Sequence, residues 1–351
     1  MSAFSLTRAG HWFLHSGIQE PSGGFARFHR SEIQKNMPVS TEISGYAASA
    51  LVFLYRATGE EKYLDAARGT ADFLVDQAWD EALQIFPYEH PSPTADSRHL
   101  AYFFDCGIII RGLLAVWRET HDERLLEIAV RAAHGMSVFW SGRDYHPILT
   151  LPDKEPLPRN AQWSTSPGCY QTKSALAWWE VAAITGDEKL KRDYLDLVEA
   201  GIQTCRGFLA GANERLKVMD RLHALLYFVE ALSPLLDRAD CVKTYGDVLE
   251  EATCHRRELE SEFVRSDVYA QMLRARVRAS HVIPVDTAAA REEAAALETF
   301  QTENGGFIFG KRAGVMSPHV NPVSTAFAIQ ALEMWRAFEA GEPETCLQPP
   351  I

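Results

Sequence analysis

The sequence is short of positive charge. It has 35 Lys and Arg against 47 Asp and Glu, a formal net charge of -12. A phosphate backbone demands clustered cations, so nucleic acid is excluded as a partner. Long hydrophobic runs are missing too. The longest, over 102–114, is broken by Asp105 and Arg111 and is too short to span a bilayer, so no membrane partner is expected. The start, Met1 to Arg8, lacks the apolar stretch of a secretory signal, which makes a cytoplasmic address the expectation. The six cysteines (106, 169, 205, 241, 254 and 346) show no CxxC spacing. Free thiols are therefore expected instead of a disulfide framework or a zinc site. Also absent are HExxH, GxSxG, GxGxxG, the phosphate-binding loop, and the DxDD and DDxxD clusters of terpene ionisation. The sequence asks for neither a metal nor a cofactor. No Gly/Ser linker or composition break divides it, so residues 1–342 read as one domain and 343–351 as a surface tail.

What is present is a repeated turn. Thr58-Gly59-Glu60-Glu61, Thr120-His121-Asp122-Glu123 and Thr185-Gly186-Asp187-Glu188 each separate an apolar helical stretch from an amphipathic one. Recurrence at this spacing marks a helical hairpin copied along the chain. Apolar residues at i, i+3, i+4 and i+7 extend the pattern to twelve helices. Six, at 45–58, 104–119, 168–185, 221–236, 267–282 and 322–340, are apolar nearly all round, which means buried on all sides. Six alternate with them and carry a charged face: 6–16, 62–79, 124–139, 189–208, 242–260 and 286–302. The arrangement predicts an all-α fold, an (α/α)6 toroid of inner and outer rings. An open superhelix is the structural alternative. Gln19 to Phe25 and Gln301 to Phe307 share the pattern Q-x-x-x-G-G-F, one near each end of the chain, as closure of a ring would require. Glycine pairs there suit a helix stop and a sharp turn.

Links from inner to outer helices are short. Links from outer to inner helices are mostly long: 18–44, 80–103, 140–167 and 301–321. Long ordered loops are usually functional, and in a toroid these all emerge at one end. Six inner-helix N-termini converge there, each with free N–H groups and partial positive charge. The residues of this mouth are Glu42, Tyr46, Arg98, His99, Tyr102, Asp105, Trp163, Tyr170, Gln171, Lys173, Arg221, His223, Tyr227, Asp267, Tyr269, Gln271, His319, Asn321 and Ser324. Aromatic faces can stack on a sugar ring, Arg can grip a carboxylate, and His, Tyr, Asp and Glu can move protons. The bland alternatives are helix-start roles for Ser40, Thr41, Glu42 and Asp105, a core role for His223, loop shaping for His319 and Asn321, and core packing for Trp178 and Trp179.

Two stretches carry a resemblance. Tyr55-Arg56-Ala57-Thr58-Gly59-Glu60-Glu61-Lys62-Tyr63-Leu64-Asp65-Ala66-Ala67 resembles the hairpin form of the six-hairpin glycosidase and lyase superfamily. Phe104-Asp105-Cys106-Gly107 resembles the Asp-bearing start of an inner helix in unsaturated glucuronyl hydrolases and their rhamnogalacturonyl relatives, where that Asp is an acid/base. The resemblance implies Asp105 as catalyst, with Glu42, Asp96 or Asp220 available as a second carboxylate. The His-rich pattern of the N-acylglucosamine epimerases is missing. The Q-x-x-x-G-G-F segments are similar to those of squalene-cyclase and prenyltransferase toroids, in architecture only.

The expected function is therefore action on a uronic-acid-containing oligo- or polysaccharide, by hydrolysis or by proton abstraction leading to elimination or epimerisation. Asp105, His223, Glu42 and His319 are the candidate catalysts. Arg98, His99, Tyr102, Trp163, Tyr170, Gln171, Arg221, Tyr46, Tyr269 and Asn321 are the candidate substrate contacts. A non-catalytic glycan- or partner-binding toroid and a terpenoid-binding toroid are the alternatives.

Overall fold

The computed structural model describes residues 4–91, 99–160, 162–212, 214–342 and 351. Among them are twelve α-helices. The outer set is α1 (Leu6–His15), α3 (Glu61–Asp72), α5 (Glu123–Gly135), α7 (Glu188–Thr204), α9 (Ala239–Leu259) and α11 (Thr287–Glu298). The inner set is α2 (Thr41–Thr58), α4 (Phe103–Thr120), α6 (Gln171–Thr185), α8 (Lys217–Ala231), α10 (Ser266–Arg278) and α12 (Pro322–Ala340). Each inner helix packs on the next, α2 on α4 and so on through α10 on α12, and α12 returns to α2. The ring is closed, so the fold is the (α/α)6 toroid and not an open arc.

Local chemistry explains the hairpins. In each repeated turn the Thr hydroxyl donates back to a carbonyl four residues earlier: Thr58 to Leu54 (2.7 Å), Thr120 to Val116 and Thr185 to Val181 (both 2.9 Å). The same oxygen accepts the N–H two residues on. The residue between is left-handed, at φ 71° for Gly59, 54° for His121 and 75° for Gly186. That conformation stops the helix and reverses the chain. Asp122 and Asp187 then cap the outer helices through Arg124 N (3.0 Å) and Lys189 N (2.9 Å).

Small residues set how closely the inner ring packs. A Cβ on Gly112 of α4 would lie 2.5 Å from the carbonyl oxygen of Gly45 on α2, so only glycine lets these backbones meet. The two Q-x-x-x-G-G-F segments fold alike. Gln19 Nε2 donates to the Gly23 carbonyl (3.3 Å) and Gln301 Nε2 to that of Gly305 (3.1 Å). Phe25 N donates to Ser44 Oγ on α2, and Phe307 N to Thr325 Oγ1 on α12, both at 2.9 Å. Gln301 also exchanges two 2.9 Å hydrogen bonds with the Ser5 backbone, joining the two ends of the ring. These segments are turn chemistry that docks each following inner helix.

Several expectations are adjusted. Helix α2 starts at Thr41 with Ser40 as its N-cap, earlier than the sequence pattern indicates. The long links contain short antiparallel strands, among them Leu100–Tyr102 with Ile148–Thr150 and Phe263–Arg265 with Gly310–Arg312. At the chain's end Ile351 is buried, its N–H donating to Gln330 Oε1 (2.9 Å), so that residue is not part of a surface tail. The five described cysteines are free thiols. Among the described residues no helix is long and apolar enough to cross a membrane.

Candidate active site

A cavity of about 290 Å³ lies at the mouth, where the inner helices begin. Glu42, in the first turn of α2, and Asp105, in the first turn of α4, line it together with Gln171, His223, Arg265 and six aromatic rings. The long links position these side chains. Thr41 Oγ1 donates to the Pro87 carbonyl (2.6 Å), and Tyr88 N donates to the Leu100 carbonyl (2.7 Å). The link is thereby strapped over the start of α2 at Pro87, Tyr88 and Leu100. The ring centroids of Tyr88 and Tyr102 lie 4.9 Å apart and tilted, those of Trp163 and Tyr170 4.9 Å apart and edge-on, and those of Phe104 and Tyr227 4.7 Å apart and tilted. The Tyr170 hydroxyl donates to the Ser166 carbonyl (3.0 Å), fixing that ring.

Electrostatically, the site is a carboxyl pair, Asp105 buried and Glu42 half-buried. Burial pushes the Glu42 carboxyl up to about 7, against the opposing charge of Arg27. Burial, then the charge of Glu42, holds Asp105 well above the usual carboxylate range. Asp105 is 4% exposed and its Oδ2 has no hydrogen-bond partner among the described residues. An orphaned buried carboxyl oxygen is costly unless a ligand or a proton satisfies it. Arg27 is placed by Glu89, its ion-pair partner, and by the Tyr88 ring, 4.8 Å from its guanidinium carbon.

On the opposite wall, burial pulls the His223 imidazole down to about 4, although Asp267 opposes this. His223 is therefore neutral near pH 7. Its Nδ1 lies 2.8 Å from Gln271 Oε1, and Gln271 Nε2 donates to the His223 carbonyl (3.3 Å). The amide orientation assigns the proton to Nδ1 and leaves the lone pair on Nε2. Arg265 holds Asp267 with a two-pronged grip (3.0 and 2.7 Å) and reaches Asp220 (2.9 Å). Tyr46 lies behind this wall. Its hydroxyl is buried, and burial, then Tyr227 and Glu42, favour its protonated form.

The other sequence candidates are placed elsewhere. Arg221 donates to the Phe208 carbonyl (2.8 Å) and stacks on that ring, outside the cavity lining. Lys173 is fully buried on Glu230 (3.0 Å) and the Ile351 carbonyl (2.9 Å), away from the mouth. The Tyr269 hydroxyl donates to Glu260 (3.1 Å), facing the outer ring. Asn321 caps α12 through Val323 N (2.8 Å), and His319 sits in a short strand with its ring 4.7 Å from Phe28. His99 is exposed and does not line the cavity. Ser324 Oγ is buried without a partner. Arg98 and Asp96 lie outside the described residues. Sequence reasoning missed Tyr88, Arg27 and Arg265. For Arg265 a signal existed: it immediately precedes an inner helix, as Tyr102 and Tyr170 do.

Among the described residues no group of His, Cys, Asp and Glu is arranged to hold a metal ion. No family model and no curated protein matches this sequence. Solved structures do match. The cellobiose 2-epimerase from Spirochaeta thermophila DSM 6192 is similar over 95% of this chain and 97% of its own, with TM-score 0.70 and 13% identity. A D-mannose isomerase is similar over 95% and 96%, with TM-score 0.69 and 11% identity. The unsaturated glucuronyl hydrolase from Bacillus sp. GL1 is similar over 97% and 98%, with TM-score 0.66 and 14% identity. At such identities the likeness establishes the fold: this chain shares with them the closed double ring of helices.

Proposed function

We propose that this protein is a carbohydrate-active enzyme that works by acid–base chemistry at the Glu42–Asp105 pair. One observation carries the reading: a buried carboxyl, Asp105, and a half-buried one, Glu42, from neighbouring inner helices line one aromatic-walled cavity, and the charge of Glu42 raises the affinity of Asp105 for a proton. A protonated carboxyl beside an ionised one is the requirement for protonating a leaving oxygen while activating water. Tyr88, Tyr102, Trp163 and Tyr170 supply faces for a sugar ring. The solved proteins of like fold named above as epimerase, isomerase and hydrolase all act on sugars, which supports the class of substrate. The polar lining disfavours a terpenoid, which needs an apolar wall.

A uronate is less well served than an uncharged sugar. Its carboxylate needs a cation, yet Arg265 is already held by Asp267 and Asp220, and Arg27 by Glu89. A second reading, proton abstraction next to a carbonyl, is favoured by the neutral His223 with its free Nε2 beside Tyr227, 4.4 Å between ring centroids. It leads to epimerisation or elimination.

The test is a panel of uronosides, unsaturated uronosides, neutral glycosides and free aldoses. Products are followed by reducing-end release, absorbance of the conjugated double bond and solvent deuterium incorporation. Glycoside cleavage lost in Asp105→Asn supports the first reading. Deuterium incorporation lost in His223→Gln supports the second. No turnover of any member sinks both, and leaves a non-catalytic glycan binder.

A further inference from the structure

The largest cavity described here has no part in that chemistry. It is a groove of about 860 Å³ between the loop after α5 and the outer helix α7. At its edge stands Trp140, which is 49% exposed. The turn that carries it is hydrogen-bonded, and the ring packs on one neighbour. Trp140 and Tyr145 pair across a tight turn, with His146 N donating to the Phe139 carbonyl (2.8 Å) and Ser141 N to that of Asp144 (2.9 Å). Their rings lie 4.9 Å apart. Tyr145 in turn packs on Phe103 (5.0 Å) and Trp178 (5.3 Å) of the inner ring. An indole exposed to water yet braced by a ladder of rings down to the core is a preformed platform.

The groove wall is mostly apolar, and three carboxylates (Asp144, Asp193, Asp196) and two cations (Arg143, Lys189) stand around it. Asp193 pairs with Lys189 (2.6 Å), while Asp196 forms no hydrogen bond or ion pair among the described residues. The Tyr145 phenol is kept protonated by burial and by these two carboxylates. Arg143 lines the rim, and its side chain makes no hydrogen bond with a described residue. A flat apolar face beside acceptors and one donor matches a pyranose, whose C–H face is apolar and whose edge is a row of hydroxyls. Three carboxylates against two cations leave no cluster of positive charge to hold an anionic glycan. Gln171 joins this groove to the central cavity. It lines both, and its amide spans them, donating to the Tyr145 carbonyl and accepting from Gly168 N, both at 3.1 Å.

We propose that this groove is a second saccharide site, which holds an uncharged oligosaccharide with one ring stacked on Trp140. For the class of ligand this rests on the sugar reading of the central cavity, but its test does not depend on turnover. Cello-, manno- and xylo-oligosaccharides, with their monosaccharides as controls, are titrated into the full-length Asp105→Asn protein and followed by calorimetry and saturation-transfer NMR. At least one oligosaccharide is expected to bind. Trp140→Ala, a surface change, is expected to weaken that binding about tenfold, with Trp140→Phe recovering part of it. No binding by any member of the panel, or binding whose affinity and stoichiometry are both unchanged in Trp140→Ala, overturns the proposal. So does a wild-type dimer that Trp140→Ala converts to monomer, which assigns the groove to a second copy of the chain. Catalytic inactivity with groove binding intact would sink the enzymatic reading alone.

Discussion

Glu42 and Asp105 meet across the α2–α4 interface, and the charge of Glu42 is the second-largest influence, after burial, holding the proton on Asp105. The pair therefore titrates as a unit, not as two independent acids. If one member donates a proton while the other accepts, both are required. Asp105→Asn and Glu42→Gln are each expected to lower kcat/KM on the responsive sugar by about 10²–10⁴-fold, the usual span for one acid–base group. Circular dichroism should be unchanged, because both replacements keep the side chain's shape. Wild-type rates in either variant would remove the pair from the mechanism.

The same burial has a cost in stability whose sign is fixed. Glu42 titrates at about 7 when folded and near 4.5 when not. Between these values the unfolded chain has released a proton that the native protein keeps, so stability falls as pH rises from about 4.5 to 7. Glu42→Gln removes the penalty. Urea melts should show the variant gaining on wild type across that window, by on the order of 2–3 kcal/mol above pH 7. A constant difference at all pH values would contradict the raised titration.

His223 behaves in the opposite sense. Its folded value is depressed from 6.5 to about 4. Native stability is complete above about 6.5 and is lost as pH falls toward 4, because the unfolded chain takes up a proton that the buried ring refuses. Acid unfolding of His223→Gln should be less steep than that of wild type between those limits, by up to about 3 kcal/mol in total. Equal slopes in paired melts at pH 7 and pH 4.5 would show that the imidazole is not buried in its neutral form.

The hairpins were legible because helical periodicity and the Thr-centred turns are local signals, repeated often enough to reinforce each other. Glu42, Asp105, Tyr102, Gln171 and His223 were legible as cavity residues because the first turn of an inner helix must lie at the mouth. Lys173, Arg221 and Tyr269 were misplaced for one geometric reason. Each is two positions from Gln171, His223 or Asp267, about 200° round the helix, and so points elsewhere. A helix apolar on every side gives no clue to which face looks inward. Arg27 and Tyr88 were hidden because the long links lack periodicity. Their positions depend on contacts such as Thr41 Oγ1 with the Pro87 carbonyl, which no local pattern encodes.

Arg265 offers a test of how the wall behind His223 is held. It is 8% exposed and grips Asp267, which is 3% exposed. Burial opposes ionisation of Asp267, and Arg265, then His223, hold its carboxyl below the usual range nonetheless. Arg265→Ala leaves that carboxylate buried without its main partner, which typically costs 3–5 kcal/mol. Arg265→Lys keeps the charge but cannot form the two-pronged grip, so an intermediate loss is expected. Arg265→Ala combined with Asp267→Asn removes the stranded charge as well. It should recover part of the stability lost in the single variant, measured as the urea midpoint at pH 7. If the double variant is no more stable than Arg265→Ala alone, the arginine contributes through packing on Phe309, 4.7 Å from its guanidinium, and not through the ion pair.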